Sequence, residues 1–165
     1  MQKILISACL LGERVRYDGL VVPVSAMITN FLRLKAVIIP FCPEVAGGLP
    51  VPRNPAEIIG KDGFDVLDGK ATIKNKSGDD VTLFYLNGAA KTLETAIKNN
   101  IKAAILKEKS PSCGNSLIYD GSFAGILKHG KGVTTALFER NGIHLFNENE
   151  IEKAVEFIGY YAKVL

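Results

Sequence analysis

The chain has 165 residues, 47% of them apolar and 22% charged, with a net charge of +3 at pH 7. That is enough to bury one substantial core, and too mildly basic to demand a nucleic-acid partner, for which a strongly basic face or stripe is expected. No apolar run is long enough to span a bilayer. The N-terminal "MQKILISACLLGERVRYDG" reads as a first strand and not as a signal peptide, so a reducing cytoplasm and free thiols are expected.

The first predicted strand is "KILISA", 3–8, which runs into Cys9. After Pro23 the apolar residues Val24, Met27, Ile28, Phe31 and Leu32 mark a helical stripe. A second strand, "AVIIPF" at 36–41, runs into Cys42. Residues 43–78 then break the pattern as a long, Pro-containing insertion. Within it, Asp68-Gly69 between short β-prone runs predicts a tight hairpin. Asp79 and Asp80 open a helix to about residue 99, whose expected buried face is Val81, Phe84, Gly88, Ala89, Ala96 and Ile97. A third strand, "AAILKE" at 103–108, is followed closely by Cys113. "LIYDGSFAGI", 117–126, predicts a second hairpin, and "KGVTTALFER" a short helix. A fourth strand at 142–146 precedes a last helix, with Asn147 and Glu150 as its capping pair and Ile151, Val155, Ile158 and Ala162 as its buried stripe.

Strands with continuous apolar runs, alternating with helices, predict an α/β class domain with an open, mostly parallel sheet of about four strands and helices on both faces. The expected strand order is 2-1-3-4, with small β-hairpin insertions. No repeat or linker divides residues 1–165, which are expected to form a single domain.

An odd number of cysteines argues against a disulfide framework. Ligands of open α/β sheets bind beyond the carboxyl ends of the strands, and Cys9, Cys42 and Cys113 all fall at or just past such ends. A structural zinc site wants four ligands. His129, in a Gly/Lys loop, and His144, within the fourth strand, are read as bystanders. Iron–sulfur clusters normally take four thiolates, so three would leave one iron open to a soft ligand. A cysteine phosphatase is excluded by register, because Arg14 and Arg16 flank the position where its arginine belongs. Two other readings stay open: a metal- or ligand-binding protein without turnover, and an enzyme using a single thiol.

Together "SACLLGERVRYDG", "FCPEVAGGLPVPR" with "PAEI", "KEKSPSCG" and "YDGSF" resemble the DUF523 family, which includes the thiouracil desulfidases. The likeness runs collinearly from Ser7 to about Asn147. It implies an α/β fold, an oxygen-sensitive [4Fe-4S] cluster on Cys9, Cys42 and Cys113, and non-redox removal of sulfur from a thiolated pyrimidine such as thiouracil. Many relatives have a further cysteine where this chain has Val15, so that position is not an expected ligand.

In that setting Glu44 is the candidate general base, against the simpler expectation that it pairs with Arg53. Ser112 is a candidate for bonding substrate or a cluster sulfide, against a turn hydroxyl. Arg53, Gly47, Gly48 and Asp18 are candidate substrate contacts. Gly47-Gly48 would let the backbone approach a ligand or take a turn, and Asp18 would gate the pocket with Arg16 and Tyr17. Ser7 is expected to be structural, and Lys107 and Lys109 solvated. The expected partner is a free small thiolated base, without membrane or nucleic acid.

Overall fold

A computed structural model describes residues 2–26, 28 and 36–164, with side chains as far as residue 160. The main sheet contains β1 (Lys3–Ser7), β2 (Val37–Phe41), β5 (Ala103–Leu106) and β8 (His144–Asn147), in the order β2-β1-β5-β8. All three pairings are parallel. This is the expected 2-1-3-4 order. β1 puts Ile4 and Ile6 on one face and Leu5 on the other, so each face has a core of its own.

The C-terminal helix α5 (Ile151–Val164) covers the Ile4–Ile6 face through Ile151 and Ala154. Glu150 and Asn147 meet at its start, where Glu150 Oε2 accepts the Asn147 amide. Val155 and Ile158 pack against the same core, and the Ala162 side chain lies outside the described residues. The opposite face is covered by α3 (Thr82–Lys98) through Ala96 and by α4 (Val133–Arg140) through Phe138. Most of the helix expected at 24–32 lies outside the described residues; Ile28 is buried against the α5-side core.

Residues 43–78 are not one long loop. They form α1 (Pro43–Ala46), β3 (Ala56–Ile59), α2 (Gly63–Leu67) and β4 (Thr72–Asn75), with β3 and β4 paired antiparallel. The hairpin expected at Asp68-Gly69 is corrected. Asp68 ends α2 and Gly69 takes φ +71, because a glycine that ends a helix uses the same left-handed conformation as a tight turn. The second hairpin lies slightly later than expected: β6 (Leu117–Tyr119) pairs with β7 (Leu127–His129), which puts His129 in a strand.

The buried face of α3 is also rotated from expectation. Tyr85, Gly88, Ala89, Thr92 and Ala96 are inside, whereas Phe84 and Ile97 are 42% and 67% exposed. The cause is close packing on α1. A Cβ at Gly88 would stand 2.0 Å from the Pro43 carbonyl oxygen, and one at Gly47 2.0 Å from that of Phe84. Gly47 therefore serves helix contact and not ligand approach, and Gly48 takes the turn conformation at φ +104. No helix among the described residues is long and apolar enough to cross a membrane.

Gly88→Ala must push the two helices apart and is expected to destabilise by about 1–3 kcal/mol or more. Leu83→Ala on the same helix, at a site 71% exposed, is expected to stay within about 0.5 kcal/mol. Parallel denaturant melts of the two variants check the difference.

Candidate active site

β1 and β2 run in register from Lys3–Val37 to Ser7–Phe41, so both strands end side by side. Cys9 sits in the 3-10 turn Ala8–Leu11 that follows β1, and Cys42 directly follows β2 and precedes α1. Cys113 lies in the loop after β5. All three border one cavity of about 430 Å³ at the carboxyl ends of the sheet.

The thiols sit within electrostatic reach of one another. Burial pushes Cys9 up to about 11, and the neighbouring Cys42 adds to the rise, with Lys107 opposing it. Burial also raises Cys42, against the Val45 amide and the Arg53 guanidinium, which favour its thiolate. Cys113 is raised furthest, by burial and then by Cys42 and Cys9.

The cavity-facing loops are held by buried carboxylates. Glu44 Oε2 accepts from Arg53 Nε at 2.8 Å and pairs with Nη2 at 2.7 Å; both side chains are nearly buried. Glu44 Oε1 accepts the Ser110 hydroxyl at 3.2 Å, and the buried Tyr85 hydroxyl lies within electrostatic reach of this carboxylate. Arg53 uses its other donors on the Val15 and Pro50 carbonyls, and its backbone N–H on Tyr17. It thus ties the first loop to the second, and the pairing expected of Glu44 and Arg53 is present.

Glu108 does similar work for the Cys113 loop. Its Oε1 accepts the amides of Asn115, Ser116, Leu117 and Lys109 at 2.8–3.3 Å, and its Oε2 accepts Asn147 Nδ2 at 2.7 Å. Burial alone would raise this carboxyl, but the amide donors outweigh burial and hold it below its usual 4.5. From the other side, the first amides of α4 donate to the loop carbonyls of Pro111 and Ser112.

Ser112 is 1% exposed and does not border the cavity; its hydroxyl meets that of Thr134 at 3.2 Å and accepts from the Cys113 thiol at 3.8 Å, so it stands beside a sulfur and not against the open cavity. Ser110 takes that place; besides donating to Glu44, its oxygen accepts the Ser112 and Cys113 amides. Asp18 does not border the cavity either: it binds Arg16 at 2.8 Å, and Arg16 and Tyr17 reach the wall. Lys107 is not simply solvated, since it borders the cavity and pairs with Glu148, while Lys109 is exposed at φ +66. Ser7 links two strands by accepting the Lys107 amide, and its hydroxyl favours the Cys113 thiolate against burial. His129 and His144 stay away from the cavity, and His144 rests on Phe157.

Tyr85, Ser110, Glu57 and Glu108 are the functional candidates missed by sequence reasoning. An acidic residue two positions past a fully apolar strand, as Glu108 is after β5, was the one usable signal. A buried carboxylate in that place must find donors.

The donor set fits an iron–sulfur cluster. Cys9, Cys42 and Cys113 bring three soft sulfur donors to the cavity wall, the donor type such a cluster takes. Three thiols set around a roomy cavity, with Lys107 and Arg53 near two of them, suit a larger sulfur-bridged group.

Fold and site together define an α/β protein with a three-thiol pocket at the carboxyl edge of a parallel sheet. The family model for 2-thiouracil desulfurase matches residues 4–150, and the chain belongs to that family. It is 48% identical over 148 residues to an uncharacterized protein, YbbK, of Bacillus subtilis (strain 168), covering 90% of this chain and 97% of that one. It is also similar to the solved structure of a [4Fe-4S]-dependent thiouracil desulfidase, TudS. That match has 40% identity and a TM-score of 0.85, and covers 97% of this chain and 99% of the other.

Glu108→Gln is expected to cost about 1–3 kcal/mol near neutral pH, because the amide bonds lose their charge and Asn147 meets a second donor. A carboxyl held low stabilises the fold above its usual value of 4.5, and that contribution fades as pH falls through its folded value. The gap between wild type and variant should therefore narrow below that value. Urea midpoints measured across the acid range check it.

Proposed function

We propose that this chain hydrolyses the thiocarbonyl of a thiolated pyrimidine such as thiouracil and releases sulfide, with a [4Fe-4S] cluster on Cys9, Cys42 and Cys113. The observation that carries the proposal is the meeting of three sequence-distant thiols and one tethered carboxylate in a single cavity. Membership of the family and the 40% identity to a thiouracil desulfidase support it.

When bound, a cluster on three thiolates supplies an open, Lewis-acidic iron with a preference for sulfur. The net reaction is C=S plus water to C=O plus hydrogen sulfide, with no change in electron count. Glu44 is assigned as the group that takes a proton from the attacking water at Oε1, the oxygen bonded to Ser110. Arg53 holds the opposite oxygen and keeps the carboxylate aimed. Ser110 passes a hydrogen bond between Glu44 and the Cys113 loop and replaces Ser112 in this scheme. The partner is a free small base, and the compartment is a reducing cytoplasm, which an oxygen-sensitive cluster requires.

Anaerobic reconstitution followed by a sulfide assay with thiouracil is the deciding experiment. Brown protein that releases sulfide in step with uracil is expected. Protein that binds no iron, or that binds iron and releases no sulfide, overturns the proposal.

Serine at any one of the three cysteines is expected to abolish both cluster retention and turnover. Glu44→Gln is expected to keep its iron and lower kcat by about 10²–10⁴-fold. Full activity in Glu44→Gln removes the proton-transfer role.

A further inference from the structure

Two of the sequence motifs, "PAEI" and "YDGSF", have no part in holding sulfur or activating water, yet the fold brings them into contact. Glu57, from the first, lies in β3 and is 8% exposed. Its Oε2 accepts the amides of Gly121 at 2.8 Å and Phe123 at 3.1 Å, from the loop of the second motif. Those bonds hold Phe123 at φ +58, a conformation costly for a residue with a side chain. They also hold Gly121 so close to β3 that a Cβ there would stand 2.7 Å from the Ile58 oxygen.

Glu57, Tyr119 and Phe123 all border the same cavity as the thiols. Among the described residues no group donates to Glu57 Oε1. Oε1 is therefore the oxygen of this carboxylate left open at the cavity wall, where it can accept a donor from a ligand. Aromatic rings beside it suit a flat, polarisable partner.

We propose that Glu57 and Phe123 form the ring-recognition wall of the cavity. Glu57 Oε1 accepts a ring N–H of the pyrimidine, and Phe123 lies against the face of the ring. This rests on the function proposed above and adds the part of the substrate that is read. The carboxylate performs both tasks: Oε2 fixes the aromatic loop and Oε1 binds the base. The ligand class is a planar six-membered lactam or thiolactam with a free N–H, and a ring methylated at that nitrogen is refused.

The test uses the reconstituted chain under anaerobic conditions and titrates uracil, 1-methyluracil and 3-methyluracil by calorimetry. None of the three contains sulfur, so binding is read apart from turnover. Wild type is expected to bind uracil and to reject one of the two methyl compounds by about tenfold or more. In Glu57→Gln the amide oxygen must serve Gly121 and Phe123, which turns an NH₂ donor toward the cavity. Uracil binding should then fall by at least about tenfold and the methyl discrimination vanish, with iron content and absorption unchanged. Phe123→Ala should weaken all the compounds that bind without altering their relative order.

Equal binding of the three compounds by wild type, or no binding of any, overturns the proposal even if neither variant folds. Unchanged selectivity in Glu57→Gln overturns it as well. Sulfide release from thiouracil without ring discrimination sinks this inference and spares the proposed reaction. Selective uracil binding without sulfide release does the reverse.

Discussion

The hydrogen bonds that converge on the carboxylate of Glu108 are the constraint on which the sulfur end of the cavity depends. Cys9 and Cys42 need little beyond the sheet, since β1 and β2 end side by side and each thiol follows its strand closely. Cys113 has no such support, because a loop separates it from β5. A buried loop must satisfy its own amides, and Glu108 takes those of Lys109, Asn115, Ser116 and Leu117 at one oxygen. The other oxygen reaches Asn147 on β8, so the loop is anchored across the sheet edge. The carboxylate thus closes both ends of the loop that presents the third sulfur, while Ser110 and the first amides of α4 hold its middle.

The same device occurs at three points around the cavity. Glu44 holds Arg53, and Arg53 holds the first loop through Val15 and Tyr17. Glu57 holds the 121–123 loop, and Glu108 the Cys113 loop. Burying a charge is costly unless donors surround it, and a pair or amide cluster seldom gains much net stability over an apolar replacement. Its gain is geometric, because a carboxylate accepts only from donors placed in the right directions. The arrangement trades some stability for loops with one available conformation, which a site with three separated ligands needs.

How much of this could be read from sequence follows from which forces are local. Continuous apolar runs specified the four parallel strands, and the cysteine positions at their ends pointed to the shared edge before any contact was known. Asp68-Gly69 misled because one glycine conformation serves both a tight hairpin and a helix end. The inward face of α3 was misjudged because it is set by Gly88 against Pro43, a contact across 45 positions that hydropathy does not encode. Ser112 was a candidate because it adjoins Cys113, yet the turn buries its hydroxyl between Thr134 and the Cys113 sulfur, away from the open cavity. Glu57 acts on amides 64 and 66 positions away, so composition and periodicity had nothing to say about it.

The positive-φ residues fit this view of the site. Among the described residues only Asn100, Lys109 and Phe123 adopt that conformation without being glycine. Asn100 follows the end of α3, an ordinary place for it. Lys109 and Phe123 both border the cavity, and the amide of each donates to a buried carboxylate, Glu108 or Glu57. Backbone strain persists only where surrounding bonds outweigh it, so the unfavourable conformations occur where the anchoring is strongest. The two loops are therefore held by one principle. One presents a sulfur and the other presents an aromatic ring, and the cavity is shaped between them by hydrogen bonds to charge more than by apolar packing.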